Sequence, residues 1–400
     1  MVSRPRPDGG GEYTAFVPNP LPPSDAIQTL AKDELGGLLA DAEHWLGQLI
    51  GIGVALPNPD LLIRPYMRQE AVESSQIEGT RTSFSELVAY EVEAEVPPGS
   101  DVRDVYNYLT ALQNGLRAVH QGEEISADLI RRLHRTLMSG ARGEALSRPG
   151  EFRAVQNHVG PNGTNDPAEA KFVPPPPPEM LAAMDSLFAF VNGGGSQIPL
   201  MDLAWIHYQF EAIHPFQDGN GRVGRILIPL CLAQRRNLQH PLLYLSPYFQ
   251  RNQSRYYEAL FETSSRSTWI PWLKFFLEGV VEQAKLSVDT AGKVIAMGDE
   301  WRQRLEMVDA PPNALRLAQR VHQKYSALNA RLARISLEEN GQGVTMPTVY
   351  KAIQILEQVG ILAEVTGRDR NRVWVATDLT LLLDSRNARR RATGGAARAY

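Results

Sequence analysis

Cysteine is nearly missing from this chain. One residue, Cys231, serves 400 positions and lies inside the apolar run RILIPLCLA, so no internal disulfide can form and a reducing, cytoplasmic setting is expected. Long apolar runs are missing too: nothing approaches the roughly 20 residues that span a bilayer, and the opening MVSRPRPDGGGEYTAF lacks the apolar core of a signal peptide. A strong net charge is the third absence. The balance of −4 offers nucleic acid or an anionic membrane no global attraction, leaving only local patches for such contacts. What is present, 43% hydrophobic and 22% charged residues, is ordinary globular composition. The length implies roughly two or three domains, and the expectation is a soluble protein without membrane contact.

Residues 1–24, rich in Pro and Gly, read as an extended arm rather than a packed element. From Asp25 to about Leu56, apolar residues recur at helical spacing. A second helix is expected from about Pro65, a suitable first-turn residue, to a stop at Gly79. More helices follow over about 101–120, 126–139, 179–193 and 200–213. The segment 147–178 breaks the rhythm with Pro, Gly and Asn, and carries short extended pieces at Phe172 and Val173. Loops of that length are functional or disordered. Past about residue 290, MPTVYKAIQILEQVGILAEVTGRDRNRVWVAT reads as a helix from Pro347 to Gln358, a turn at Gly360 and two strands around GRDRN, the back half of a winged helix. The expected division is an arm at 1–24, an N-terminal helical region at 25–100, a catalytic core at 101–285, a winged-helix-like domain at 286–385 and a basic tail at 386–400.

The densest chemistry is HPFQDGNGRVGR, His214 to Arg225, set between two apolar helical segments. Gly219 and Gly221 let successive N–H groups converge, and the following helix adds its positive end, which together make an anion cradle. Arg222 and Arg225, three apart, share a helix face and offer two guanidinium forks for separate phosphates. Asp218 is a hard oxygen ligand suited to Mg²⁺ held jointly with a phosphate chain. His214 closes the preceding helix and can take a proton near neutral pH. A glycine loop alone is a weak signal, and a histidine at a helix end is commonly a cap; seven suited positions in twelve residues point instead to phosphoryl or nucleotidyl transfer. His207 shares a face with His214, but no third ligand completes a metal site, so it reads as a buried, hydrogen-bonded histidine.

At these residues the chain resembles the Fic family, whose signature His-Pro-Phe-x-(Asp/Glu)-Gly-Asn-Gly-Arg-x-x-Arg matches from His214 through Arg225. The resemblance extends from roughly Leu21 to Glu282 through LLIRPYMRQEAVESSQIEGTRTSFSEL, PGEFRAVQNHVG and FVPPPP. It implies a mainly α fold: a Fic helical core with a short β-hairpin flap, plus the C-terminal winged-helix-like α+β domain. It also implies transfer of AMP from ATP to a Ser, Thr or Tyr hydroxyl of a protein, the chain itself included, with release of pyrophosphate. Carried over by position, His214 deprotonates the hydroxyl and Asp218 holds Mg²⁺. Gly219, Asn220, Gly221 and Arg222 cradle the α- and β-phosphates, Arg225 takes the γ-phosphate, and Val223 and Gly224 complete the nucleotide segment. Phe172, Val173, Pro174 and Pro175 resemble the flap, an edge that receives the target by strand addition, although its prolines remove N–H donors. RNQSRYYEAL resembles the helix beside adenine, with Tyr256 and Tyr257 as contacts or, alternatively, as core.

Glu78 poses a separate question. Met67, Ala71, Ser74 and Glu78 fall on one helical stripe whose small residues admit a close neighbour. A carboxylate there requires a partner, and the negative end of its own helix disfavours it by about 0.3–1 kcal/mol. The resemblance supplies the partner: Ser74, Glu78 and Gly79 match the inhibitory motif (Ser/Thr)-x-x-x-Glu-(Gly/Asn), in which the glutamate pairs with the second signature arginine, here Arg225, and blocks productive γ-phosphate binding. Alternatives keep the fold and change the reaction to UMP or phosphocholine transfer or AMP removal. Phosphate transfer fits least, because Gly221 and Arg222 are both present. A rival of another class is a DNA-binding regulator acting through Tyr350, Lys351 and Gln354 and a wing of Arg368, Arg370 and Arg372. A homodimer is plausible by resemblance.

Overall fold

The computed structural model describes residues 1–5, 11–55, 60–92, 99–142, 144–159, 169–196, 198–236, 238, 242–324, 326–338 and 343–383. The tail expected at 386–400 lies outside the described residues, as does the middle of the Pro- and Gly-rich loop.

Two short strands open the chain, β1 (Val2–Pro5) and β2 (Glu12–Ala15), paired antiparallel with Val2 opposite Ala15. The expected unpacked arm is therefore corrected here. Alternation along β2 buries Tyr13 and Ala15 against Val173, the one-sided pattern of a strand lying on a surface.

Helices follow: α1 (Asp25–Ala55), α2 (Asp60–Ile77), α3 (Phe84–Val92), α4 (Asp101–His120), α5 (Ala127–Met138), α6 (Glu144–Ser147), α7 (Pro177–Asn192), α8 (Pro199–Ile213), α9 (Asn220–Arg236), α10 (Ser246–Arg251), α11 (Gln253–Arg266) and α12 (Ile270–Glu306). Local chemistry explains several starts. The Ser126 hydroxyl accepts from the Leu129 N–H to cap α5, and proline sits in the first turn of α7, α8 and α12. α2 begins earlier than its sequence suggests: Asp60 complements the N-terminal dipole and pairs with Arg64 at 3.0 Å, so Pro65 lies inside the helix.

α8 and α9 carry the centre of the core, with nearly every residue from Leu200 to Ile213 and from Val223 to Ala233 buried. Helices apolar on all sides sit in an interior, here between α4, α7 and the paired α1 and α12. The C-terminal part comprises α13 (Pro312–Gln323), β3 (Ala327–Asn329), α14 (Ala330–Glu338), α15 (Met346–Gln358), β4 (Leu362–Glu364), β5 (Val373–Ala376) and α16 (Thr377–Leu383). Its strands form one antiparallel sheet, ordered β3-β5-β4. The helix, the Gly360 turn at φ 73° and the hairpin fall where the sequence suggests. A boundary at 285/286, however, falls inside the unbroken α12, and one hydrophobic core runs from Ala31 to Leu379. No helix among the described residues is long and apolar enough to cross a membrane.

Close approach of α4 to α9 depends on Gly115, where a Cβ would lie 2.8 Å from a Leu230 methyl and 3.2 Å from Leu133. Gly115→Val is expected to destabilise the fold by about 1–3 kcal/mol through overpacking. Exposed Gly37 of α1 meets nothing within 4 Å, so Gly37→Ala is expected to stabilise by about 0.5–1 kcal/mol. Urea titration of the two variants checks both signs; a neutral Gly115→Val would show that the helices do not meet there.

Candidate active site

α8 ends at Ile213, and His214 adopts the left-handed conformation, φ 51° and ψ 60°, donating its N–H to the Phe210 carbonyl. Histidine enters this region more readily than most residues. Its Nδ1 lies 3.2 Å from the Glu211 carbonyl oxygen. A carbonyl can only accept, so Nδ1 carries the proton and Nε2 keeps its lone pair. Burial, assisted by the Arg153 charge, pulls the His214 pKa down to about 4. The sequence suggests a group titrating near neutrality; the structure holds the ring neutral instead, because an imidazolium would be desolvated here.

Between His214 and α9, the loop is fixed by side chains. Asn220 Oδ1 accepts from the Phe216 N–H and its Nδ2 donates to the Phe216 carbonyl, each at 2.8 Å. His134 stacks on Phe216 with ring centres 3.8 Å apart and bonds the Asp218 carbonyl through Nε2 at 2.9 Å. Gly219, at φ 79°, makes the turn that a side chain would strain. The first intrahelical bond of α9 runs from the Val223 N–H to the Gly219 carbonyl, leaving the Asn220, Gly221 and Arg222 N–H groups without helical acceptors. Three donors without helical acceptors and a positive helix end make an anion site. Arg222 is buried beside it, its Nε unpartnered and its Nη2 only 3.3 Å from the Met138 sulfur.

Arg225 turns the other way. Its side chain is 1% exposed, with Nε donating to Ser74 Oγ at 2.8 Å and Nη2 to the Ser74 carbonyl at 3.0 Å and Glu78 Oε1 at 2.6 Å. Glu78 sits in the turn just past α2 with 35% of its side chain exposed. Desolvation opposes its charge, but the Arg225 guanidinium prevails and holds the carboxyl below the usual range. In return Glu78 raises the Arg225 pKa against the cost of burial. The same carboxylate oxygen lies 2.6 Å from where a Gly221 Cβ would stand, over the first turn of α9. Glu78 thus leaves the negative end of α2 for the positive end of α9. Gly79, at φ 92°, permits the turn.

His214, Glu78, Gly221, Arg225 and Tyr257 line one cavity of about 550 Å³. Other expected contacts fall elsewhere. Val223 is core. Tyr256 lines the cavity, yet it is 1% exposed and its hydroxyl is engaged by His207 Nε2 at 2.8 Å. His207 also bonds the Gly224 carbonyl, and burial lowers its pKa to about 3, as a structural histidine requires. Asp218 is largely exposed, and no cluster of three or more His, Cys, Asp or Glu among the described residues is arranged to hold a metal ion. A divalent cation fits only as one shared by the Asp218 carboxylate and phosphate oxygens, the coordination Mg²⁺ commonly takes.

Residues 172–175, expected as the flap edge, pair with Val159 on one side and are tied to neighbouring segments through their carbonyls. Phe172 exchanges both main-chain bonds with Val159, the Val173 carbonyl accepts from the Phe16 N–H at 2.8 Å, the Pro174 carbonyl from Gln156 and the Pro175 carbonyl from Arg153. Arg153 was not apparent from sequence: it joins Pro175 to the His214 carbonyl, and burial lowers its pKa to about 10. Nor was Glu211, a cavity residue whose buried Oε1 has no partner and whose pKa desolvation pushes up to about 7. Gly224 makes its room, since a Cβ there would stand 2.2 Å from Oε1. On the C-terminal part, Tyr350, Lys351, Arg368, Arg370 and Arg372 are exposed.

Family comparisons accord with this geometry. The Fic/DOC family N-terminal model matches residues 37–117, and the Fic/DOC family model matches residues 124–232. The chain is 28% identical to the protein adenylyltransferase fic-1 of Caenorhabditis briggsae over 166 residues, 40% of this chain and 30% of that protein. It is 34% identical to a probable protein adenylyltransferase of Aquifex aeolicus over 23% of this chain and 27% of that one. The matched parts thus span about a third or less of these curated relatives. Among solved structures, a Fic family protein from Desulfovibrio desulfuricans superposes with a TM-score of 0.54 at 18% identity, covering 90% of this chain and 98% of that one. Residues 134–508 of Fic-1 from C. elegans superpose at 0.50 with 19% identity over 68% and 79% of the two chains. Residues 37–117 and 124–232 of this chain thus form Fic/DOC family domains.

Proposed function

We propose that the chain is a protein adenylyltransferase, moving AMP from ATP to a Ser, Thr or Tyr hydroxyl of a protein, and that Glu78 restrains it. The observation that carries this reading is the neutral His214 ring beside the first-turn N–H groups of α9, within one cavity. The curated relatives named protein adenylyltransferases support it. Nε2 of His214 accepts the hydroxyl proton as oxygen attacks the α-phosphorus; the new O–P bond forms and the bond to the bridging β-phosphate oxygen breaks, releasing pyrophosphate. The phosphates' negative charge raises the His214 pKa from its depressed value and makes it a better proton acceptor. Asn220, Gly221 and Arg222 hold the phosphates through N–H groups, and the unpartnered Arg222 Nε adds a charged donor. Asp218 would hold Mg²⁺, whose charge, when bound, offsets that of the phosphate chain. Arg225 would meet the γ-phosphate, a role that Glu78 contests.

In the full chain, Glu78→Gly is expected to raise incorporation of label from α-labelled ATP into protein by about tenfold or more, the response to roughly 1.4 kcal/mol of competition. Adding His214→Ala is expected to cut that labelling by about 10²–10⁴-fold. A well-folded Glu78→Gly chain no more active than wild type would remove the restraint. Label released as AMP from a modified protein, rather than gained by it, would favour the removal reaction. Unlabelled protein with ATP, but labelled protein with UTP or CDP-choline, would change the transferred group.

The pH dependence has a definite sign. With a folded pKa of about 4 against 6.5 ordinarily, the unfolded chain binds more protons at His214 between those values, so this contribution to stability is complete above pH 6.5 and is lost toward pH 4. NMR of the histidine Cε1–H signals should show the free enzyme's His214 neutral at pH 6. Half-protonation at 6.5 would contradict the neutral base.

A further inference from the structure

An unpartnered carboxyl oxygen lies in the wall of the cavity around His214. Glu211 belongs to the last turn of α8, three residues before His214, and lines the same cavity. Its Oε1 is sealed from water without a hydrogen-bond partner and rests on Gly224, where a Cβ would stand 2.2 Å away. Burial pushes the Glu211 pKa up to about 7; the Arg225 charge opposes that rise and the Glu78 charge adds to it. We propose that Glu211 is a specificity-determining residue that recognises the ribose of ATP, its carboxyl bonding the 2′- and 3′-hydroxyls. The inference rests on the adenylyltransferase reading and names a residue that selects that reaction's nucleotide.

Depth and charge decide which part of a nucleotide comes to this carboxyl. Phosphates belong at the first turn of α9, where the Asn220, Gly221 and Arg222 N–H groups lack helical acceptors. Gly224 lies three residues further into α9, about 4.5 Å along the helix, so Glu211 stands beyond that site rather than over it. The uncharged nucleoside is the part that can enter there. Glu78 is near enough to raise the Glu211 pKa, and phosphates in its place act in the same direction, so the carboxyl stays neutral when nucleotide is bound.

A neutral carboxyl offers one O–H donor and one carbonyl acceptor. Hydroxyls, which both donate and accept, match the two functions. Beyond Glu211 the cavity is lined by Tyr208, one turn earlier on α8, and by Leu260, Phe261 and Ser264 of α11. Tyr208 and Ser264 already bond each other at 2.9 Å, and the rest is apolar. Such walls suit a flat base, which leaves the sugar for Glu211. A buried acid oxygen without a partner is costly to the fold, so a ligand accounts for it better than packing does.

The test is calorimetric titration of ATP and of 2′,3′-dideoxy-ATP into the full chain carrying Glu78→Gly, and into the same chain with Glu211→Leu or Glu211→Gln added. The parent is expected to bind ATP about tenfold or more tightly than the dideoxy nucleotide, through two hydrogen bonds. Glu211→Leu should bring that ratio to within about twofold, weakening ATP while holding the dideoxy nucleotide. Glu211→Gln, which keeps a donor and an acceptor, should retain the parent's ratio to within about threefold. A parent without preference for ATP, or a Glu211→Leu chain that keeps the preference, overturns the ribose contact. So does a Glu211→Leu loss shared equally by the two nucleotides, which is the mark of a packing defect. Labelling of protein by α-labelled ATP is scored separately in the parent: its absence beside an intact ATP preference overturns adenylyl transfer and leaves the ribose contact standing.

Discussion

A single buried guanidinium, that of Arg225, organises the site. At 1% exposure its charge requires partners, and α2 supplies them through Ser74 Oγ, the Ser74 carbonyl and Glu78. Glu78 looks misplaced when only α2 is considered, since a carboxylate at a helix C-terminus meets like charge. Across the interface it lies over the N-terminus of α9, where the dipole and Arg225 both favour it. Gly221 is the condition of that approach. The carboxylate thus rests where a phosphate would find the same donors, which is why restraint and substrate binding are read as competition for one site.

α2 itself is clamped. Glu70 accepts from the Tyr108 hydroxyl and from both the N–H and hydroxyl of Ser246; Tyr66 donates to the Ser287 carbonyl, Arg68 pairs with Glu91, and Gln253 of α11 donates to the Ile77 carbonyl. Withdrawing the helix would break all of these, the Glu70 bonds in a buried interior. Glu78, a third exposed and in the turn beyond the helix, can leave alone. On this account, relief requires a swing of one side chain and its turn, with α2 staying in place.

What the sequence made legible was local or carried by a long motif. The turn at Gly219 and the α9 start follow from HPFQDGNGRVGR and its flanks, the stripe through Ser74 marks a face of α2 that needs a partner, and the family resemblance names Arg225 as that partner. The helices away from the loops keep their expected spans because their periodicity is strong. Contacts between distant segments were not legible. Arg153 and His134 brace the loop through carbonyls, for which many residue types would serve. Glu211 is inconspicuous until Gly224 is seen to make its space. The bonds that Phe16 and Gln156 make to residues 173 and 174 were not legible, because those residues are distant in the chain, and the arm looked unpacked because only four-residue strands bear its alternation. Burial, likewise, moved His214 from a group titrating near neutrality to a neutral ring.

The central claim, that Glu78 and the terminal phosphate of ATP compete for Arg225, is tested most directly by calorimetric titration of ATP and ADP into the full wild-type chain and into Glu78→Gln. The account predicts that neutralising Glu78 tightens ATP by about tenfold and leaves ADP, which lacks the competing phosphate, nearly unchanged. Equal effects on the two nucleotides, or none on ATP, would contradict it.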